Sequence, residues 1–176
     1  NTDTVDVEAT LRQIEALHAA GCRIVRLAVP NKRAIEPFRQ IRARTAVPLV
    51  ADIHFQYQLA VAAIEAGADK VRINPGNIGG PDKVRHVVDA ARAANIPIRV
   101  GVNAGSLEEP ILKRHGHHTA AALCESAVHN VRMVESMGFD DVVVSIKASD
   151  VPTTIEACRL LADQSPYPQH IGITES

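Results

Sequence analysis

Four cationic side chains, Arg26, Arg72, Arg99 and Lys147, stand inside runs that are otherwise apolar. In an extended chain successive side chains point to opposite faces. Over 24–29, Val25, Leu27 and Val29 face one way and Ile24, Arg26 and Ala28 the other. Over 48–54, Leu49, Ala51 and Ile53 oppose Val50, Asp52 and His54. Val71 and Ile73 oppose Arg72 and Asn74; Ile98, Val100 and Val102 oppose Arg99, Gly101 and Asn103; Val142, Val144 and Ile146 oppose Val143, Ser145 and Lys147. One set is wholly apolar and suits a helix-covered face. The other turns polar towards the carboxyl end of each run. Burying a charge without a counter-ion is costly even after relaxation. Four cations here meet at most two nearby acids, Asp52 and Glu175. An anionic ligand resolves the excess, and arginine forks with a lysine point charge suit phosphate oxygens. The turn Gly76-Asn77-Ile78-Gly79-Gly80 before Pro81 can add backbone N–H groups and a helix N-terminus. A lone strand arginine often pairs with a neighbouring carboxylate, and Asp52 could neutralise Arg26 or Arg72. Coordinated placement on five runs favours a shared site.

The elements that must position these residues alternate along the chain. Periodicity predicts helices over 5–20, 31–45, 56–66, 80–95, 118–138 and 151–164. It predicts strands over 22–29, 48–54, 68–74, 96–103, 140–147 and 169–174. Pro37 sits inside the second helix, Pro81 suits a first helical turn, and Thr119 is a fitting N-cap. One longer interval, around LEEPILKRHGHH at 107–118, breaks the even spacing, and its HGHH end at 115–118 reads as a solvated loop. Repeated βα units require a parallel sheet covered by helices. No G-x-G-x-x-G follows any strand, so a dinucleotide-binding open sheet has no support. The expected fold is α/β, a (β/α)8 TIM-type barrel with about six units present; a full barrel needs eight and roughly 250 residues. The polar strand ends would then meet at the carboxyl mouth, where barrel sites form.

Composition excludes several function classes. The chain has 176 residues, 46% of them hydrophobic, and a net charge of −1, so neither nucleic acid nor a membrane surface is an expected partner. Cys22, Cys124 and Cys158 are far apart with no C-x-x-C spacing, the pattern of a reduced intracellular protein. His115, His117 and His118 lack a thiol or carboxylate at ligand spacing, so no metal is expected there. His18, His86 and His129 fall on helix patterns as surface or packed residues. Glu175 aligns with Ile171 and Ile173 rather than with the polar set, and reaches the mouth only if the strand ends at Thr174. A chain opening on Asn1 directly into a helix pattern is expected to be a piece of a longer protein.

Five stretches in order, VADIHF (50–55), VRINPGNIG (71–79), VGVNAGSLE (100–108), VSIKASD (144–150) and GITES (172–176), resemble the barrel domain of the 4-hydroxy-3-methylbut-2-enyl diphosphate synthase family. That resemblance implies the iron–sulfur step of the methylerythritol phosphate route to isoprenoids. Its reaction is the reductive opening of 2-C-methylerythritol 2,4-cyclodiphosphate with two electrons and loss of water. It implies a [4Fe–4S] cluster held by three cysteines and a glutamate in a C-terminal domain that this chain lacks. It implies ferredoxin or flavodoxin as electron donor, and a homodimer in which one subunit's cluster domain caps its partner's barrel. By resemblance Arg26, Arg72, Arg99 and Lys147 hold the diphosphate, Asn103 contacts substrate, and Glu175 is an acid near the substrate hydroxyls. Asp52 and His54 line the same mouth, with Asn74 and Ser145 on the same polar set. No plant-type insertion is present, which implies a bacterial cytoplasmic protein. The chain alone would then be inactive and bind no cofactor.

Two other readings stand beside it. Lys147 near a strand end could form a Schiff base in a barrel lyase, or the barrel could be a pteridine-binding synthase. Alternatively the chain is a non-catalytic folding or assembly module, since an open parallel sheet leaves two bare edges.

Overall fold

Each of the first five strand runs is β-branched and flanked by Gly, Pro or Asp, and each forms a strand. The computed structural model describes residues 2–173. The strands are β1 (Val25–Ala28), β2 (Leu49–Asp52), β3 (Lys70–Ile73), β4 (Ile98–Asn103) and β5 (Val142–Lys147). They pair in parallel in the order β1-β2-β3-β4-β5, each beside its neighbour in sequence. This is the connectivity of a TIM-type ring, in agreement with the expected fold class.

Among the described residues eight helices link and cover the strands: α1 (Val7–Ala19), α2 (Ile35–Arg44), α3 (Tyr57–Glu65), α4 (Pro75–Ile78), α5 (Pro81–Ala94), α6 (Glu109–His115), α7 (Ala120–Glu135) and α8 (Val151–Ala162). Their caps follow from the sequence. Asp6 Oδ1 accepts from Ala9 N at 2.9 Å, Thr119 Oγ1 from Ala122 N at 3.0 Å, and Asp150 Oδ1 from Thr153 N at 2.8 Å. Pro37 falls in the first turn of α2, after a 3-10 turn over Lys32–Ala34, where its missing N–H costs nothing.

The apolar set forms the core. Leu49, Ala51, Ile53, Val71, Ile73, Ile98, Val100, Val102 and Val144 are fully buried beneath the helices. Each large member contributes about 1.5–3 kcal/mol on burial. The opposite face of the sheet carries the polar set.

Three expectations need correction. The run 169–174 does not form a sixth strand among its described residues. It makes one parallel bridge, Gln169 to Val144, and leaves Ile171 and Ile173 exposed. No described strand lies on its far side to complete a second ladder. The HGHH stretch is a loop only from Gly116 onward: His115 is the last residue of α6, which closes at Gly116 in the left-handed conformation. The Gly76–Gly80 turn does not offer its first amides to a ligand. Gly76 N donates to Asn74 Oδ1 at 3.1 Å, and Asn77 N and Ile78 N donate to Asn74 O at 3.0 and 3.2 Å, closing the single turn α4.

Candidate functional site

Register places the polar residues in layers. Asp52 of β2 pairs with Arg72 of β3, and Arg72 with Arg99 of β4, so these three side chains stand on one level of the inner face. One step higher, Gly101 pairs with Ser145; at the top, Asn103 pairs with Lys147. The side chains line a cavity of about 550 Å³ formed by Arg26, Ala28, Asp52, His54, Arg72, Arg99, Asn103, Ser145, Lys147 and Ile173. Eight residues singled out in the sequence therefore share one opening.

Asp52 is the hub. Its buried carboxylate takes Arg26 NH1 at 2.8 Å on Oδ2 and Arg72 NH1 at 3.1 Å on Oδ1. His54 Nε2 lies 3.7 Å from the same Oδ2. Arg72 is 7% exposed, so an arginine in the middle of an apolar strand is explained by this carboxylate. Gly101 makes room for it. A Cβ built there would clash with Arg72 Nε and stand 3.0 Å from its Cζ and NH2.

Arg99 and Lys147 form no ion pair among the described residues, and Asp52 is the only carboxylate lining the cavity. Arg99 is 6% exposed and its Nε has no hydrogen-bond partner among the described residues. Burial and the nearby Arg26 lower its pKa to about 10, against the pull of Asp52. Burial, then Arg26, Arg99 and Arg72, lowers the Lys147 amine. Among the described residues lining the cavity, three positive charges remain in excess over the one carboxylate. The arrangement can take up an anion, and the forks of Arg72 and Arg99 stand beside each other for bidentate contact.

Asn74 lies off this centre. Its Oδ1 caps α4 and its Nδ2 donates to Ser106 Oγ at 3.0 Å, so it lines a smaller hollow beside His54, Phe55 and Asn103. Glu175 lies outside the described residues. Thr154 Oγ1 accepts from Ala148 N at 3.1 Å and donates to Asp150 O at 2.9 Å, fixing the exit of β5 just past Lys147.

Two titratable neighbours of the cavity carry no sequence signal that marks them. Lys70 shares the parity of Arg72 but stands at the start of its strand, ahead of the apolar alternation. With His170 it lines a 230 Å³ hollow beneath the cavity, beside Arg26, Arg99 and Lys147. Burial, then Arg99, lowers the Lys70 amine. His170, exposed at its outer edge, is pushed down to about 4 by partial desolvation where it faces the hollow and by the charges of Arg99 and Lys147. Its folded value lies below the ordinary 6.5, so the unfolded chain takes up the proton first. Stability carried by this residue is therefore present at neutral pH and lost as pH falls from 6.5 towards 4. In an NMR titration the His170 ring should change near pH 4 in the free protein, and at higher pH once inorganic diphosphate fills the cavity. A free-protein midpoint near 6.5 would contradict a cationic surplus.

Among the described residues no three His, Cys, Asp or Glu side chains meet as a metal site. His115 instead ends α6 and pairs through Nε2 with Glu125 Oε2 at 2.7 Å, alongside Arg114. No helix among the described residues is long and apolar enough to cross a membrane.

A 4-hydroxy-3-methylbut-2-en-1-yl diphosphate synthase (flavodoxin) of Natranaerobius thermophilus is 55% identical over 176 residues, all of this chain and 49% of that protein. The protein of the same name from Geobacter sulfurreducens is 55% identical over all of this chain and 50% of its own length. The chain thus spans about half the length of the curated relatives it matches. Among solved structures, a dihydropteroate synthase from Clostridium difficile superposes with a TM-score of 0.67 at 14% identity, covering 93% of this chain and 66% of that one. The Yersinia pestis dihydropteroate synthase gives 0.59 at 12% identity, covering 90% of this chain and 61% of that one. At such identity the likeness is one of barrel fold alone. The GcpE TIM-barrel domain family matches residues 1–176, and the chain belongs to that family.

Proposed function

We propose that this chain is the substrate-cradling part of a 4-hydroxy-3-methylbut-2-en-1-yl diphosphate synthase, binding 2-C-methylerythritol 2,4-cyclodiphosphate through its diphosphate. The observation that carries the reading is Arg99, buried, with its Nε unpartnered beside a cavity of surplus positive charge. Arg26, Arg72, Arg99 and Lys147 receive the phosphate oxygens, and Ser145 and Asn103 add neutral polar groups from β5 and β4. Asp52 holds the two arginine forks apart in register until the anion arrives. His54, beside Asp52 at the mouth, is placed to exchange a proton with a substrate hydroxyl. Glu175 completes the acid set.

Ring opening consumes two electrons. The relatives' names specify flavodoxin, and we assign flavodoxin, or a ferredoxin in its place, as donor to the whole protein. The [4Fe–4S] cluster that the resemblance implies supplies the redox chemistry there. The residues of this chain do not fit it: Cys22, Cys124 and Cys158 are separate free thiols, and two of them are raised in pKa by burial. The cluster therefore belongs to polypeptide beyond this domain, and the work of this chain is binding and orientation. A bacterial cytoplasmic homodimer is the setting we infer from the same resemblance.

Calorimetry of the full-length protein with the cyclodiphosphate tests the reading. Arg99→Ala should weaken binding by about thirtyfold or more, the loss expected for a desolvated charged contact. Unchanged affinity would overturn it. The lowered Lys147 amine favours one other reading, a Schiff-base lyase. Borohydride trapping with a carbonyl substrate separates the two, and no adduct at Lys147 would end the lyase case.

A further inference from the structure

Glu108 closes one of the stretches that carry the family resemblance, yet it lines no part of the anion cavity. Its carboxylate faces α7. Ser126 Oγ donates to Oε2 at 2.5 Å and Asn130 Nδ2 donates to Oε1 at 2.7 Å. Both donors are buried, at 1% and 0% exposure, one helical turn apart. Asn130 Nδ2 also donates to Ser126 O at 2.9 Å, while Asn130 Oδ1 has no partner. The reverse orientation of that amide would set its oxygen against the carboxylate. A buried acceptor left unsatisfied is costly, so the carboxylate decides how the amide sits.

The same carboxylate also meets the loop after β3. A Cβ at Gly76 would stand 2.9 Å from Glu108 Oε1 and 3.3 Å from Asn74 Oδ1. Two residues before Glu108, Ser106 Oγ accepts from Asn74 Nδ2 at 3.0 Å and donates to Asn103 O at 3.0 Å. A continuous path therefore runs from α7 through Glu108 to Ser106, and from there to Asn74 and Asn103 at the rim.

We propose that Glu108 is a positioning residue, clasping the loops after β3 and β4 onto α7 so that Asn103 is held at the anion cavity. Hydrogen bonds to an ionised acceptor are about twice as strong as neutral ones, and two buried donors on one rigid helix give the loops a fixed reference. The second half of the proposal, the consequence for the anion, rests on the diphosphate reading above.

The test uses the full-length protein with Glu108→Ala and Glu108→Gln. Hydrogen exchange read by NMR should quicken in Glu108→Ala at the amides of 103–108 and at the Asn74 side-chain amide, with β2 unchanged. Inorganic diphosphate should bind about tenfold more weakly, in line with the cost of small misplacements. In an Asn103→Ala background, Glu108→Ala should cause no further loss. Glu108→Gln keeps the shape and one acceptor, so it should fall between wild type and alanine in both readouts. A lower melting temperature with unchanged loop exchange and unchanged affinity would overturn the proposal and leave Glu108 a stabilising residue only. Exchange is read without ligand. Should the wild type fail to bind diphosphate, the anion reading falls, and the clasp is still decided by the exchange data.

Discussion

Gly101→Ala should empty the site of one of its principal cations without touching a charged residue. The added methyl would occupy the lane in which the Arg72 guanidinium crosses β4, within 3.0 Å of Cζ and NH2. Real Cβ atoms essentially never lie as close as this one would to Arg72 Nε, and both chains are strand residues with little backbone freedom. The Arg72 guanidinium must shift, and the expected consequence is loss of its bond to Asp52. The expected result is a folded protein whose affinity for inorganic diphosphate drops about as far as in Arg72→Ala, by a factor on the order of 30 to 100. The double variant should be no worse than either single, because both remove the same guanidinium from the same place. Full additivity of the two losses would show that Gly101 does not govern Arg72. Gly101→Ser should behave as alanine does, since the obstacle is the Cβ itself.

Asp52→Asn should show an uncommon pairing: a less stable protein that binds diphosphate more tightly. Asp52 is the only carboxylate lining the cavity among the described residues, and it is shared by Arg26 and Arg72. Removing one member of a buried pair strands the other, at about 3–5 kcal/mol. Arg26 is half exposed and can rehydrate, so the loss should lie at the lower end, about 3 kcal/mol. Thermal melts at low salt check this. Inorganic diphosphate should restore much of the lost stability, since an anion that binds only the folded state stabilises it by mass action. Affinity should rise because the incoming anion no longer competes with a carboxylate for two arginines. Weaker diphosphate binding in Asp52→Asn would show that Asp52 orders the guanidinium groups more than it shields them.

Much of this site was legible before any coordinates, for one physical reason. Strand parity is fixed by the backbone, so residues two apart share a face whatever surrounds them. That rule alone brought Arg26, Asp52, His54, Arg72, Arg99, Asn103, Ser145 and Lys147 together. It failed at the end of β3. Asn74 has the right parity, but the chain turns at Pro75 into α4 and the amide becomes a helix cap. Lys70 obeys the rule and was overlooked because a lysine before an apolar run resembles an exposed strand start. His170 was out of reach: it enters the cationic field on a segment held by a single bridge to β5, a tertiary fact with no local signature. The glycine-rich turn misled for a related reason. The turn suggests amides open to an anion, but Asn74 takes those of Gly76, Asn77 and Ile78. The absence of a side chain at Gly101 left no mark in any pattern, and only the path of Arg72 reveals its use.

The strictly sequential strand order has a consequence for biosynthesis. Each unit docks on the one made just before it, so the sheet can grow as the ribosome extends the chain. In that order Asp52 emerges ahead of Arg72, Arg99 and Lys147. The first arginine to follow finds its counter-ion already placed, whereas later cations add repulsion with every strand. A nascent sheet of this kind grows more strained electrostatically as it nears completion.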